Sequence, residues 1–214
     1  MIERYTRPEM GHLWSIQNEW QTILNVEIAA CEAMAELGEI PAAAVENIKK
    51  NAKFDVARIN EIEKVTDHDI IAFLTNLEEN VGEDSKYIHK GLTSSDVKDT
   101  AYCIMMRDAA AIILDDLRAF RTVLRRRADE FRHTPCIGRT HGIHAEPMTF
   151  GLKMLLWSAE IERDIERLTR AQETVSVGKL SGAVGTYSNI DPRIEELTCK
   201  KLGITPVRLA TQVI

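Results

Sequence analysis

Glycine and proline are scarce, 11 and 6 in 214 residues, and aromatic residues make up only 6%. A chain with so few turn formers and so few β-favouring aromatics is poorly suited to a barrel or sandwich of many short strands. Cysteine is limited to Cys31, Cys103, Cys136 and Cys199, with no C-x-x-C pairing, which argues against a zinc ribbon or a disulfide framework and fits a reducing cytoplasm. No apolar run approaches the roughly 20 residues of a membrane helix. The start, Met1-Ile2-Glu3-Arg4-Tyr5, lacks the apolar centre of a signal peptide. Basic residues are in deficit, 27 against 33 acidic, and the net charge of −6 disfavours nonspecific attraction to nucleic acid or to an anionic membrane. The expectation is a soluble cytoplasmic protein. A small anionic ligand stays compatible with it, because a local cluster of donors can oppose the net charge.

Helix-forming material is abundant. Hydrophobic residues reach 44%, enough for a sizeable core, and Ala, Leu, Ile, Glu, Arg and Lys dominate, so the expected fold is all-α. Thr6 and Glu9 have capping-box spacing around Pro8. Ser15 is a rival cap for the apolar series Trp20, Ile23, Leu24, Ile28, Cys31, Met34 and Leu37, which Gly38 and Pro41 stop. Shorter helices are expected over 42–52 and 55–64, followed by one that Thr66 and Asp69 cap and that runs to Gly82. After the polar turn Gly91-Leu92-Thr93-Ser94-Ser95, long helices are expected over 96–132 and 149–175, with a loop at 134–147 between them. Gly178, Gly182 and Gly185 mark another loop, and Asp191-Pro192 opens a short helix ending near Gly203. A boundary near Gly91 divides a small N-terminal helical domain, 1–91, from a partial central helix-bundle domain, 92–214, whose remaining helices are expected beyond Ile214.

Candidate chemistry concentrates in three places. His141 and His144 stand in Gly138-Arg139-Thr140-His141-Gly142-Ile143-His144-Ala145-Glu146-Pro147, and imidazole suits proton transfer near neutral pH. A solvated loop histidine beside a structural one explains the spacing equally well; a metal site from His141, His144 and Glu146 has no helical ligand spacing behind it. Thr66-Asp67-His68-Asp69 places a histidine in a first helical turn, where the dipole lowers imidazole basicity and free N–H groups attract anions. Thr93-Ser94-Ser95-Asp96 repeats that arrangement, with hydroxyls and free amides facing one point, although plain capping is the commoner use of such residues. Arg4-Tyr5 could hold a phosphate and stack or hydrogen-bond.

Taken together, these stretches resemble the fumarase and aspartase superfamily. Gly138-Arg139-Thr140-His141 looks like its histidine loop and Gly91-Leu92-Thr93-Ser94-Ser95-Asp96 like its first carboxylate-binding region. The longer string ending Glu146-Pro147-Met148-Thr149-Phe150-Gly151 is similar to the bacterial adenylosuccinate lyase family in particular. So are Arg4-Tyr5, the run from Gly178-Lys179-Leu180-Ser181-Gly182 to Gly185-Thr186-Tyr187, and Thr211-Gln212.

The resemblance implies a homotetramer built on a central helix bundle, with active sites shared between subunits and no metal or organic cofactor. It implies elimination of fumarate from adenylosuccinate, giving AMP, and from the succinylated aminoimidazole carboxamide ribotide, giving its free amide. His141 would be the general acid, with His68 supporting or orienting it; Arg4 and Tyr5 would hold phosphate and ribose. Asp67, His68 and Asp69 would line the pocket, Thr93 and Ser94 would bind the succinyl part, and His89, Thr140 and Gln212 would complete contacts near it. The family's serine-bearing loop, the source of the general base, is absent from these residues. Another lyase of the superfamily, such as argininosuccinate lyase, and a non-catalytic helical oligomerisation fragment are the alternatives.

Overall fold

The computed structural model describes residues 2–214. A 3₁₀ turn, Glu3–Tyr5, precedes α1 (Pro8–Leu13), α2 (Ile16–Glu36), α3 (Ala42–Asn51), α4 (Val56–Thr66) and α5 (Asp69–Val81). A second 3₁₀ turn, Gly82–Tyr87, leads to α6 (Ser94–Glu130). Then come the strands β1 (Pro135–Thr140) and β2 (Ile143–Thr149), α7 (Phe150–Val175), β3 (Val177–Gly178), α8 (Pro192–Leu202) and β4 (Thr205–Pro206). The protein is all-α in class; its strands form two small pairs, β1 with β2 antiparallel and β3 with β4 parallel.

Local chemistry sets the helix ends. Ser15 caps α2 by accepting the Asn18 N–H at 3.2 Å. Thr6 is not a cap: its hydroxyl donates to the Ile2 carbonyl, and α1 starts at Pro8 without a side-chain cap. At the other end of α2, Gly38 takes a φ of 76°, so that its own N–H reaches the Ala35 carbonyl and the Glu39 N–H reaches Met34. The expected single helix start at Thr66 is also corrected. Thr66 is the last residue of α4, Asp67 turns left-handed at φ 48°, and His68 caps α5 through Nδ1, which accepts the Ile71 N–H at 3.3 Å. The histidine therefore stands at the cap, ahead of the first turn.

Backbone contacts divide the chain into two compact units, 1–106 with 175–214, and 107–174. Gly91, the boundary suggested by sequence, lies inside the first. That unit holds the main core. Trp20 stacks on Phe73 at 4.8 Å between ring centres, Phe54 meets Phe73 edge-on at 5.9 Å, and Ile23, Met34, Ile48, Ile59, Ile70 and Leu77 are fully buried around them. Full burial of each such side chain is worth about 1.5–3 kcal/mol. Leu180, Ile190, Ile194, Cys199 and Ile204 return from the far end of the sequence to the same core.

In the second unit, the remainder of α6 packs against α7 through Leu124, Ala128 and Met154. Gly151 permits the close approach, since a Cβ there would stand 2.4 Å from the Ala128 carbonyl oxygen. The expected loop at 134–147 is largely a β-hairpin. Pro135 pairs with Thr149 and Thr140 with Ile143, and the register shifts between Ile137 and Arg139. His141 and Gly142 form its two-residue tip at φ 54° and 75°, the pair of positive values that a type I′ turn requires.

Candidate functional site

Of the described non-glycine residues, those with positive φ are Asp67, His89, His141 and Tyr187. Three of the four are residues singled out by sequence. Left-handed backbone is costly for residues with a Cβ and concentrates where surrounding structure aims a side chain.

His141 projects from the tip of the β1–β2 hairpin into solvent, its Nδ1 2.9 Å from the Thr140 hydroxyl. The rigid two-residue turn presents an imidazole that can take up or release a proton, with Thr140 fixing the ring's rotation. His144 lies on β2 opposite Arg139 and is exposed.

The other candidates belong to the first unit. His68 uses Nδ1 as an acceptor for the Ile71 N–H, so in this arrangement its proton sits on Nε2. Beside it, Asp69 accepts the Ile70 N–H at 2.7 Å and the Lys98 ammonium at 2.5 Å, which ties the start of α5 to the first turns of α6. Partial burial opposes ionisation of Asp69, but its bonds to Lys98 and Ile70 outweigh this and hold the carboxyl below its ordinary range. Asp67 is exposed at the α4–α5 corner.

His89 follows a different design. Glu27, in the middle of α2 and only 1% exposed, accepts the His89 backbone N–H at 2.9 Å through one oxygen and approaches ring Nδ1 at 2.5 Å through the other. Burial works against the imidazolium, yet the hydrogen bond and charge of Glu27 prevail, and the His89 pKa lies above its ordinary value.

Thr93 and Ser94 open α6, as expected, but not every amide there is free. The Thr93 N–H donates to Asp96 Oδ2 at 2.9 Å. Asp96 also accepts the N–H groups of Ser181 and Gly182 and the Lys179 ammonium, with Asp96 and Lys179 both fully buried. The Gly178–Gly182 stretch is thereby fastened to the start of α6. Lys179 Nζ is saturated further by the Gly182 carbonyl at 2.9 Å.

Arg4 and Tyr5 occupy the first 3₁₀ turn, both exposed, with the guanidinium 4.8 Å from the Tyr5 ring centre. A neighbouring cavity of about 530 Å³ is lined by Glu3, Thr6, Arg7, Pro8, Gly11, Trp14 and Ser15. Gln212 is exposed outside any helix or strand.

Glu27, Lys98 and the bonding role of Asp96 were not anticipated as parts of these clusters. Glu27 did leave a signal: it stands at the helical spacing of Trp20, Ile23, Leu24, Ala30, Cys31 and Met34, a carboxylate on an apolar stripe.

Comparison with known proteins follows the same lines. Residues 3–213 match the lyase family. Over all 214 residues the chain is 54% identical to the adenylosuccinate lyase of a Synechocystis species and 50% identical to that of Bacillus subtilis. It spans about half the length of these curated relatives, covering 50% of each. Among solved structures, a fumarate lyase from a Mesorhizobium species superposes with a TM-score of 0.89 at 29% identity, over 94% of this chain and 49% of that one. The 3-carboxy-cis,cis-muconate lactonizing enzyme from Pseudomonas putida gives 0.88 at 26%, over 95% and 49%.

Proposed function

From the premise that this chain belongs to the lyase family, we propose that it is part of an adenylosuccinate lyase, which eliminates fumarate from adenylosuccinate to give AMP and from the succinylated aminoimidazole carboxamide ribotide to give its free amide. The observation that carries this reading is the 54% identity, over the whole chain, to an enzyme of that name. It favours a nucleotide substrate over argininosuccinate.

The chemistry asks for two proton transfers. A base removes the proton on the carbon beside a carboxylate, and the electron pair left behind moves onto that carboxylate. The carbon–nitrogen bond then breaks, a double bond forms in the departing fumarate, and the nitrogen keeps the bonding pair and takes a proton. Donors aimed at the carboxylate stabilise the added negative charge. Thr93 and Ser94 at the start of α6 suit that task, since the first turn of a helix leaves N–H groups without partners inside the helix. His141 suits the proton delivery to nitrogen, with Thr140 orienting it. His68, donating through Nε2, supports or orients His141, and Asp67 and Asp69 line the pocket beside it. Arg4 and Tyr5 take the phosphate and ribose, while His89 and Gln212 contact the substrate near its succinyl part. The general base comes from outside these residues.

A homotetramer, with sites shared between subunits, is part of the same proposal. Phe120, Val123, Leu152, Leu155, Leu156 and Trp157 are exposed on α6 and α7 of this single chain, and burying them against further helices would remove that apolar surface from water. No described helix is long and apolar enough to cross a membrane, and a cytoplasmic biosynthetic role fits the reading. The test is to assay the full-length gene product spectrophotometrically with adenylosuccinate and, separately, with argininosuccinate. Fumarate release from the first is expected; release from the second alone would overturn the assignment.

A further inference from the structure

We propose that Glu27 is a positioning residue, gripping His89 by its backbone N–H and its ring Nδ1 so that the ring is fixed in place and rotation and its opposite nitrogen, Nε2, is the one offered to an anionic group of the substrate.

The geometry carries the assignment. Glu27 sits on α2 inside the apolar stripe, 1% exposed, where an ionised carboxylate needs compensation. Its contacts are both to His89: Oε2 receives the main-chain N–H at 2.9 Å and Oε1 meets Nδ1 at 2.5 Å. Two oxygens on two donors of one residue fix both the position and the rotation of the ring. A carboxylate so close to Nδ1 requires a proton between them, and charge-assisted bonds of this kind are the short ones. With Nδ1 committed to Glu27, the opposite nitrogen is the part of the ring left for a ligand, and 14% of the side chain remains accessible. Among the described residues, Nε2 has no protein partner.

The backbone agrees. His89 takes a φ of 62° in the turn that leads into α6, and the Leu92 N–H closes back on its carbonyl at 3.2 Å. A histidine in left-handed backbone one turn before Thr93 is poorly explained as core packing. The strain is understandable if the main chain must bend to present both donors to Glu27. The charged groups acting on the ring are Glu27 from α2 and, more weakly, Asp96 from α6, whose own charge is met by Lys179. Both carboxylates favour the cation. His68 differs: its Nδ1 accepts from a main-chain N–H and meets no buried carboxylate. The two histidines are thus held differently, His68 through an Nδ1 that accepts from the main chain and His89 through an Nδ1 that faces a carboxylate.

This inference rests on the lyase reading for the identity of the ligand, but not for the state of the ring, so the two can fail separately. The protein is labelled with ¹⁵N in its histidine rings and the His89 signals are assigned by their loss in His89→Gln. The His89 ring is expected to titrate above the ordinary histidine value; a titration below that value would overturn the proposal with no variant needed. Glu27→Gln keeps an acceptor for the backbone N–H but removes the charge, so the His89 titration should shift to lower pH, and Glu27→Asp should restore part of the shift. An unchanged titration in Glu27→Gln would reduce Glu27 to a structural prop and refute the assignment. Added fumarate and added inorganic phosphate form separate arms: a change in the His89 Nε2 signal with one of them identifies carboxylate or phosphate as the group met, and no change with either refutes the anion contact. In the full-length gene product, Glu27→Gln should raise KM about 10-fold with a smaller change in kcat, as expected for loss of a charge-assisted contact. If adenylosuccinate is not turned over at all, the function reading fails while the ring measurements still decide the role of Glu27.

Discussion

The Lys179 ammonium lies 2.5 Å from the Asp96 carboxylate, and neither side chain reaches solvent. Around this pair, Asp96 collects the N–H groups of Thr93, Ser181 and Gly182, so that one carboxylate joins the opening of α6 to a glycine-bearing stretch more than eighty residues away. The sequence distance is closed by electrostatics within the core.

Removing one member of that pair leaves the other as an uncompensated buried charge. Lys179→Met is expected to destabilise the fold by about 3–5 kcal/mol, read as a lower urea midpoint with little change in slope. A loss below about 1 kcal/mol would show that the three amides alone satisfy Asp96.

His141→Ala in the full-length gene product should lower the turnover of adenylosuccinate by roughly 100-fold to 10,000-fold while KM changes much less, the pattern of losing a general acid. Near-normal turnover would exclude His141 from that role. Its exposed place at a hairpin tip makes a folding defect in this variant unexpected.

Thr93→Val together with Ser94→Val should weaken fumarate binding measured by calorimetry and leave helical content intact. The Thr93 main-chain bond to Asp96 survives the substitution, so the start of α6 stays anchored. Unchanged fumarate affinity would mean that these hydroxyls only finish the helix.

The Lys98–Asp69 pair gives a pH-dependent contribution with a definite sign. Because the folded Asp69 pKa lies below the ordinary 3.8, its stabilisation is present above that value and is lost as pH falls through the lower folded one. Lys98 is raised, burial opposing and Asp69 favouring its charge, so its share is present below the ordinary 10.5 and is lost as pH rises through the higher folded value. Lys98→Met should therefore differ from wild type most between these limits and converge with it in acid. Both side chains are 34% exposed, so the difference should also shrink with added salt. A gap that persists unchanged into acid would assign it to lost packing of the lysine stem.

Gly151→Ala would drive a methyl group into the Ala128 carbonyl at 2.4 Å, and a thermal melt should show a loss of about 1–3 kcal/mol. Full retention of stability would show that α6 and α7 separate there without strain.

Helix periods were legible because α2, α6 and α7 are long enough for apolar spacing and caps to agree; Ser15 and Gly38 mark the ends of α2 from composition alone. The hairpin was hidden by its own residues. Its two prolines and two glycines suggest a loop, and the His141-Gly142 dipeptide does in this turn what Asn-Gly commonly does. At the α4–α5 corner, composition offered several polar capping residues, and choosing His68 over Thr66 depended on the left-handed Asp67 between them. The residues named for function were visible as motifs, whereas their supporting partners were not. Lys98 reads as an ordinary helix surface lysine until α5 is placed beside it, and Glu27 shows only as a charge on the wrong side of an apolar stripe.

The first unit is made from two stretches of chain, with 107–174 spun out between them. During synthesis, the face of α2 that α8 covers waits for Ile194 and Cys199 to leave the ribosome, long after Met106. At the usual 5–20 residues per second that delay is about 5–20 s, ample time for exposed apolar surface to meet other chains. The buried Lys179–Asp96 bond then acts as a latch that ties the returning chain to the opening of α6 ahead of α8.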